Sequence, residues 1–426
     1  MSGEVLLRGG LVVDLTGERR ADVLVRDGAV VAVEVDIAPA AGWTVLDAAG
    51  CVVAPGLVDL HTHLRQPGRE EAETVETGSR AAALGGYTTV VAMPNTEPAI
   101  DGAAVVREVQ ELAEKALCAV LPAGAITKGR RGEELAPMAE MAALGVRLFT
   151  DDGRGVQDAR LMRRALEYAA GLGVTLAQHC EDERLAAGGH MHEGEWSSRL
   201  GMAGVPAEAE ELMVARDLAL VRLTGGRAHF QHLSTAGSVA LVRAAKAAGG
   251  LAVSAEATPH HLSLTDAAVA GFDPVFKVNP PLRPQADVDA VRAGLADGTI
   301  DAIATDHAPH PQEDKERPFD QAPPGMLGLE TALAVALTYL DLGVARVLAL
   351  MSWQPARLVG VDAGPVAEGR AADLFVFDPT AEWVVDPTRS ASRSRNNPYA
   401  GRRLAGRVRH TLYQGEPVVI DGQAQR

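Results

Sequence analysis

Histidine and aspartate residues recur at the ends of short apolar runs in this sequence, and these residue types bind transition metals. The positions are His61-Thr62-His63, Asp151-Asp152, Gln178-His179, Gln231-His232 and Asp306-His307. Imidazole and carboxylate groups suit Zn2+, and also Mn2+, Fe2+ or Co2+. They suffice for two ions about 3.5–4 Å apart, a pair that activates water for attack on a carbonyl carbon at neutral pH. The sequence therefore predicts a metal-dependent hydrolase.

The spacing of these residues predicts which side chains share a face. His61 and His63 are two residues apart on an extended run, so both side chains point the same way. Asp151 and Asp152 are adjacent, so only one of them can face the same site, and alternation leaves the choice open. The sequence contains neither a glycine-rich phosphate loop nor a Gly-x-Ser-x-Gly turn, which argues against nucleotide chemistry and a serine hydrolase.

The pattern between these positions indicates the fold that must bring them together. Short apolar runs alternate with Ala-, Leu-, Arg- and Glu-rich stretches typical of helices, and the runs cover residues 57–61, 87–93, 119–126, 146–150, 174–179, 228–232, 251–255 and 300–305. Such runs are typical of a parallel sheet covered by helices. Eight βα units in about 300 residues predict an α/β fold of the (β/α)8 TIM barrel type, with a doubly wound open sheet as the alternative. A barrel would collect the strand ends at one face.

Both ends of the chain show a different pattern, with short strands punctuated by glycine and aspartate. Neither end offers enough strands for a stable sheet of its own. We therefore predict a small composite β domain from residues 1–54 and 364–426, beside a barrel of residues 55–363. The alternative is two separate hairpins at the edge of the barrel.

Composition limits the partners of the protein. Asp and Glu number 56 against 40 Lys and Arg, and the resulting charge of −16 argues against nucleic acid and anionic membranes. We find no apolar run of the roughly 18 residues that a membrane span needs, and no signal-peptide pattern. Three cysteines (Cys51, Cys118 and Cys180) are too few for a disulfide framework, so we expect a cytoplasmic protein. Only five of the 40 basic residues are lysine.

Several motifs resemble those of the long bacterial dihydroorotases of the first class, within the amidohydrolase superfamily. They are PGLVDLHTH (55–63) with its extension LRQPG (64–68), MPNT (93–96), FTDDG (149–153), HCED (179–182), VNPPLR (278–283) and ATDHAPH (304–310). The resemblance extends over residues 50 to 370, and the combination of motifs is highly specific.

This resemblance implies a role for each matching residue. His61 and His63 would bind a first metal, His179 and His232 a second, and Asp152 would bridge the two. Asp306 would bind the first metal and act as the catalytic acid and base. The substrate carboxylate would be held by Arg65, Asn95 and His310, and the substrate ring by Asn279 and the backbone of Pro324 and Gly325. The implied cofactor is one or two Zn2+ ions per subunit, with two favoured.

The implied reaction is the reversible cyclisation of N-carbamoyl-L-aspartate to (S)-dihydroorotate in pyrimidine (UMP) biosynthesis. Hydrolysis of the ring amide needs activated water, a proton for the leaving nitrogen and an anion site, and the Arg65 guanidinium offers a bidentate fork for a carboxylate. Because the chain is acidic, binding of an anionic substrate must rest on Arg65 and the metal charge. The resemblance also implies a homodimer and allows association with aspartate transcarbamoylase.

Two other functions compete with this one. Allantoinases, hydantoinases and dihydropyrimidinases usually bridge their metals with a carboxylated lysine on the fourth strand, but residues 145–152 contain no lysine; Lys128, after the third run, is a minor candidate. A non-catalytic scaffold for aspartate transcarbamoylase would have lost ligands, whereas this chain retains them. Residues 311–324 form a charged, proline-rich loop that we expect to act as a lid over the site.

Overall fold

The computed structural model describes residues 3–426, which contain 21 β-strands. In chain order the strands are β1 (Val5–Arg8), β2 (Leu11–Asp14), β3 (Gly17–Arg20), β4 (Asp22–Arg26), β5 (Ala29–Glu34), β6 (Thr44–Asp47), β7 (Val52–Pro55), β8 (Leu57–Thr62), β9 (Tyr87–Ala92), β10 (Ala119–Pro122), β11 (Leu148–Phe149), β12 (Thr175–Gln178), β13 (Met191–His192), β14 (Gly204–Val205), β15 (Arg227–Phe230), β16 (Ala252–Ala257), β17 (Ala302–Ile303), β18 (Leu374–Val384), β19 (Arg403–Tyr413), β20 (Glu416–Ile420) and β21 (Gln423–Ala424).

The α-helices follow most of the central strands. They are α1 (Val75–Leu84), α2 (Ala103–Ala113), α3 (Met138–Ala143), α4 (Ala159–Leu172), α5 (Glu183–Ala186), α6 (Glu195–Leu200), α7 (Glu208–Thr224), α8 (Ala236–Ala248), α9 (Pro259–Ser263), α10 (Gln285–Asp297), α11 (Gln312–Lys315), α12 (Ala332–Tyr339), α13 (Val344–Met351) and α14 (Trp353–Val359). Short 3-10 turns lie at Lys128–Arg130, Asp266–Gly271, Pro274–Phe276 and Pro387–Arg389. None of the helices in residues 3–426 is both long enough and apolar enough to cross a membrane.

Eight parallel strands close into a barrel. One group runs β8-β9-β10 and the other β11-β12-β15-β16-β17, all in parallel register. Two single bridges join the groups, Gly124 with Phe149 on one side and Thr62 with His307 on the other. The backbone N–H of His63 donates to the His307 carbonyl at 2.9 Å across the second junction. The predicted (β/α)8 barrel is therefore confirmed, and the doubly wound alternative is wrong.

Helix α4 shows how the sequence produces the outer layer. Asp158 caps its first turn by accepting from the backbone N–H of Leu161 at 2.7 Å, and Gly173 ends it with a left-handed φ of 70°. Its buried residues are Met162, Ala165, Leu166 and Ala169, spaced three and four apart. This spacing places them on one face, which packs against the barrel.

The two ends of the chain share one sheet. Strands β18 and β7 pair antiparallel, with Leu374 opposite Pro55 and Phe377 opposite Val52, and β7 pairs with β2. The small domain is therefore assembled from both termini, and the two-hairpin alternative is wrong. One detail differs from the sequence pattern, in which residues 374–378 and 382–385 read as two short strands: residues 374–384 form the single long β18, which contains two register shifts. The domain boundaries at 54/55 and 363/364 stay a prediction.

Candidate active site

The predicted metal ligands converge at the C-terminal ends of the barrel strands. His61 and His63 lie at the end of β8, and Asp152, His179, His232 and Asp306 directly follow β11, β12, β15 and β17. All six are buried. The His61 Nε2 atom lies 3.2 Å from Asp152 Oδ1, and the His63 Nε2 atom lies 3.0 Å from Asp306 Oδ1. The convergence follows from the barrel, because parallel strands end together at one face.

Several atoms of this cluster lack the partner that buried polar atoms normally have. His61 Nε2, Asp152 Oδ1 and His179 Nε2 make no hydrogen bond although each is buried. Two triads bring their ligand atoms within 4.8 Å of one another, His61 with His63 and Asp306, and His61 with Asp152 and His232. Lone pairs crowded in this way are stabilised by a cation between them, so the residues fit a metal site.

Hydrogen bonds on the far side of two histidines orient them toward the cluster. His61 Nδ1 lies 2.8 Å from Glu256 Oε1, and His63 Nδ1 lies 2.9 Å from Asn95 Oδ1. A proton on each Nδ1 satisfies these acceptors and leaves both Nε2 lone pairs facing inward, the tautomer that a metal ligand needs. The Asn95 side chain therefore orients a ligand, and its amide nitrogen stays available for a substrate oxygen.

The His179 and His232 rings meet at the other edge of the cluster. His179 Nδ1 lies 2.8 Å from His232 Nε2, and the same two atoms lie 3.8 and 4.0 Å from Asp152 Oδ1. Asp152 therefore contacts both histidine pairs from a position between them. Such a place suits a carboxylate that serves two ions.

The histidines and carboxylates of the cluster shift one another's pKa values. Burial lowers the pKa of His61, but the Asp152 and Asp306 carboxylates outweigh burial and raise that pKa well above its usual value. Burial likewise raises the pKa of Asp152, yet His61, His63 and His179 hold it well below the ordinary range. The carboxylate is thus kept ionised among histidines, which favours cation binding.

The two adjacent aspartates make different contacts, Asp152 within the histidine cluster and Asp151 outside it. Asp151 turns away: its Oδ1 accepts from the backbone N–H groups of Ile126 and Thr127 at 2.9 and 3.0 Å, and its Oδ2 accepts from the Thr127 hydroxyl. An outward-facing aspartate at this position is expected to bond the Gly153-Arg154-Gly155 loop, but only the Asp151 backbone does so, its carbonyl accepting from the Arg154 N–H at 3.0 Å. The side chain instead ties β11 to the loop after β10.

Strained backbone marks the same face. Arg65, His232 and Asp306 adopt positive φ values of 62°, 33° and 45°, which side chains other than glycine rarely tolerate. Such strain concentrates at functional sites, where the surrounding structure imposes it. His307, the neighbour of Asp306, points elsewhere and lies 3.3 Å from Glu73 Oε2, as expected for a structural histidine.

The predicted carboxylate-binding residues border this cluster. The buried Arg65 side chain donates from Nε to the Pro309 carbonyl at 3.1 Å, next to His310. Burial and the nearby Arg69 lower the Arg65 pKa to about 10, so its guanidinium stays charged at neutral pH. His310 Nε2 donates to the Pro324 carbonyl at 2.8 Å, while its buried Nδ1 has no partner. Burial and Arg65 hold the pKa of His310 well below its usual value.

The predicted ring-binding residues are only partly together. Gly325 N–H donates to the Lys277 carbonyl at 2.9 Å, which places Pro324 and Gly325 beside both His310 and the segment that carries Asn279. Asn279 itself makes a different contact, because its amide nitrogen donates to Glu181 Oε1 at 3.1 Å. His310 thus contacts the Pro324 backbone, whereas the Asn279 side chain bonds Glu181 instead.

Two lysines tie the predicted lid loop to the barrel. Lys315 in the loop donates to the carbonyls of Pro274, Lys277 and Pro323 at 2.8 to 3.3 Å. Lys277 reciprocates, donating to Phe319 and Asp320 carbonyls at 2.7 and 3.1 Å. Of the five lysines in the chain, two therefore anchor residues 311–324.

Sequence reasoning missed Glu256 and His229 beneath the metal cluster. Glu256 contacts His61 through one oxygen and His229 Nε2 through the other, at 2.9 Å, and His229 Nδ1 lies 2.8 Å from Ser254 Oγ. The available signal was a charged residue within the mainly apolar run of β16. Lys128, in contrast, lies on the surface and pairs with Glu134 at 2.8 Å, so it is excluded as a bridging lysine.

Comparison with known proteins agrees with this geometry. A family model described as dihydro-orotase-like matches residues 50–238. The chain is 50% identical to the dihydroorotase of Pelotomaculum thermopropionicum over 426 residues (98% of this chain, 99% of that one). It is 51% identical to the dihydroorotase of Streptomyces coelicolor over 430 residues (99% of each).

Solved structures show the same architecture. The L-hydantoinase (dihydropyrimidinase) from Arthrobacter aurescens matches with a TM-score of 0.89 and 26% identity, over 100% of this chain and 98% of that one. The dihydropyrimidinase from Brevibacillus agri matches with a TM-score of 0.85 and 24% identity, over 99% and 96%. On the evidence of its full-length relatives, this chain belongs to the dihydroorotase family.

Proposed function

We propose that this chain is a cyclic amide hydrolase that interconverts N-carbamoyl-L-aspartate and (S)-dihydroorotate in de novo pyrimidine (UMP) biosynthesis. The observation that carries the proposal is the proximity of two sites of different chemistry, since the Arg65 guanidinium interacts electrostatically with the Asp152 and Asp306 carboxylates. A buried histidine–aspartate cluster that fits metal ions lies next to a guanidinium and an imidazole, Arg65 and His310, that suit a carboxylate. Dihydroorotate carries both a ring amide and a carboxylate, one group for each site.

Within this proposal, the residues divide as follows. His61, His63 and Asp306 would hold one Zn2+, His179 and His232 a second, and Asp152 both. When bound, the metal polarises the amide carbonyl and activates water. Zinc as the native metal, two ions per subunit, a homodimer and a cytoplasmic location complete the proposal and rest on the family resemblance. Association with aspartate transcarbamoylase is a further option that the same resemblance allows.

Asp306 is the proposed acid and base. Its carboxylate lies beside the cluster, 3.0 Å from His63 Nε2, and it is nearly fully buried. In the hydrolytic direction, Asp306 takes a proton from the attacking water and delivers it to the ring nitrogen as the amide bond breaks. In the biosynthetic direction, it takes the proton from the carbamoyl nitrogen and delivers it to the departing carboxylate oxygen, which leaves as water with a second proton taken up from solvent.

In this proposal, residues of the loops select the substrate. Arg65 and Asn95 would donate guanidinium and amide N–H groups to the carboxylate. His310 would join them through Nδ1 in its protonated form, because its Nε2 already donates to the Pro324 carbonyl. Asn279 and the Pro324-Gly325 backbone would contact the ring. The loop of residues 311–324, anchored by Lys315, would exclude water from the closed site.

A hydantoinase is the competing function, because the hydantoinase structures share the fold. Against it, residues 145–152, which include the fourth barrel strand, contain no lysine, and Lys128 pairs with Glu134 at the surface. A non-catalytic scaffold is disfavoured by the complete set of ligand side chains.

One experiment tests the proposal directly. The purified, zinc-loaded protein is assayed with dihydroorotate and with dihydrouracil, which has the same ring amide but lacks the carboxylate, and its metal content is measured on the same sample. We expect kcat/KM for dihydroorotate to exceed that for dihydrouracil by about 100-fold or more, the scale of a charge-assisted recognition. Equal turnover of the two compounds would refute the anion site.

A further inference from the structure

A segment of the terminal β domain crosses the active-site face of the barrel. It lies between β18 and β19 and comprises residues 392–396, which we call the strap. Ser392, Ser394 and Asn396 are buried, whereas Arg393 and Arg395 between them are exposed. This alternation of period two presents every second side chain to the barrel.

The first half of the strap binds the loop after β8. The Ser392 hydroxyl and the Arg393 backbone N–H both donate to the carboxylate of Glu73, the latter at 3.1 Å. The Ser394 hydroxyl donates to the Ala72 carbonyl at 2.8 Å. These contacts fix the far end of the loop that begins with Arg65.

The second half of the strap binds the two segments that carry His310 and Gly325. Asn396 Nδ2 donates to the carbonyls of Ala308 and Gly325 at 2.9 and 3.1 Å, and Asn396 Oδ1 accepts from the His310 backbone N–H at 3.3 Å. The Asn396 carbonyl also accepts from the Leu327 N–H at 3.0 Å. One buried amide thus uses both donor hydrogens and its oxygen to hold the two segments at a fixed separation.

Residues 305–307, which precede His310 and include the proposed metal ligand Asp306, are held by a different set of contacts. The Thr305 backbone N–H donates to Asp59 Oδ1 at 2.8 Å, and the Thr305 hydroxyl also bonds Asp59. The His307 carbonyl accepts from the His63 N–H across the barrel junction. Asp306 is therefore held by β8, while residues 308–310 are held by Asn396.

We propose that Asn396 is a positioning residue that sets the separation of His310 and Gly325 and thereby the fit of the substrate carboxylate and ring. The proposal rests on the proposed function. It makes the small β domain part of the substrate-selecting structure, although that domain supplies none of the residues placed against the substrate above.

The test compares Asn396→Ala with Asn397→Ala in the full-length, zinc-loaded protein. Asn397 is the adjacent buried asparagine, and its side-chain oxygen accepts only from the Tyr399 N–H nearby, at 2.9 Å. For Asn396→Ala we expect KM for dihydroorotate to rise by about 10- to 100-fold, since a misplacement of about 1 Å costs that much, with kcat within about threefold and zinc content unchanged. For Asn397→Ala we expect KM and kcat near the wild-type values.

A double-mutant cycle separates positioning from general destabilisation. In an Arg65→Met background the carboxylate grip is already weakened, so adding Asn396→Ala should raise KM by much less than it does in the wild type. Equal KM values for the two asparagine variants, an effect confined to kcat or zinc content, or full additivity with Arg65→Met would overturn the proposal. If Asn396→Ala is not recovered folded, Asn396→Ser is judged by the same criteria. A wild-type protein that does not turn over dihydroorotate would instead overturn the proposed function.

Discussion

The metal cluster and the carboxylate site are neighbours, but they are built in different ways. Each cluster residue lies on a barrel strand or within three residues of its end, and His61 is oriented by Glu256 on β16, whereas His63 is oriented by Asn95 just beyond β9. The carboxylate site is formed by loops, and Asn396 and Lys315 hold those loops from outside the strands. Under the proposed function, this difference would let the strands fix the chemistry and the loops fix the substrate.

The largest effect should come from the acid and base. We expect Asp306→Asn to lower kcat by about 10²- to 10⁴-fold, because the amide cannot accept the proton from water. KM should change far less, since Arg65 and His310 are untouched. Steady-state kinetics with dihydroorotate measure both constants, and a kcat close to the wild-type value would remove Asp306 from this role.

Substitution in the proposed carboxylate site should mainly change KM, whereas substitution of Asp306 should mainly change kcat. We expect Arg65→Met to raise KM for dihydroorotate by about 10- to 100-fold, the range of a hydrogen-bonded charge pair, with a smaller change in kcat. Arg69→Met is a matched control, since Arg69 is a nearby cation whose side chain is more exposed. Equal effects of the two substitutions would show that only the general positive field matters.

The support beneath the cluster should affect metal binding alone. We expect Glu256→Gln to weaken zinc binding by about 10- to 100-fold, because a carboxylate behind a ligating histidine fixes its tautomer and increases its basicity. The dissociation constant is measured by competition with a chelator of known affinity. An unchanged constant would mean that the Glu256–His61 contact is structural.

The smallest effect concerns the anchor of the lid loop. Burial and the neighbouring Lys277 lower the pKa of Lys315 from 10.5 to about 7. Between these values the unfolded chain binds more protons than the folded one, so this group makes the free energy of unfolding rise with pH, by at most about 1.4 kcal/mol per pH unit. Denaturant unfolding from pH 7 to 10 should show a shallower rise for Lys315→Met. Identical slopes would contradict a buried, titrating Lys315.

The predictability of the two regions differs for the same physical reason. The cluster was predictable because parallel strands end at one face, so His61, His179 and Asp306 had to converge once the barrel was recognised. Asp152 could not be chosen from the strand pattern alone, because alternation allows either Asp151 or Asp152 to face the cluster. The hydrogen bonds of Asp151 to residues 126 and 127 show that Asp151 faces away. Glu256 could have been noticed in the sequence, because it is an acidic residue in a mainly apolar strand.

The residues that hold the loops in place, Asn396 and Lys315, could not be recognised from the sequence pattern. Asn396 lies 86 positions from His310 and 71 from Gly325 along the chain, and no periodic pattern connects them. Lys315 stood out only as one of five lysines, and its three carbonyl partners come from two separate segments. Loop positions are fixed by single long-range contacts, which a local reading of the sequence does not reach.

The proposal that strand residues fix the chemistry and loop residues fix the substrate is tested most directly by measuring two quantities on both Arg65→Met and Glu256→Gln. For each variant, the zinc dissociation constant and the KM for dihydroorotate at saturating zinc are determined. We expect Arg65→Met to raise KM and leave zinc binding unchanged, and Glu256→Gln to weaken zinc binding and leave KM unchanged. If either variant altered both quantities to the same degree, the division between strands that fix chemistry and loops that fix the substrate would be wrong.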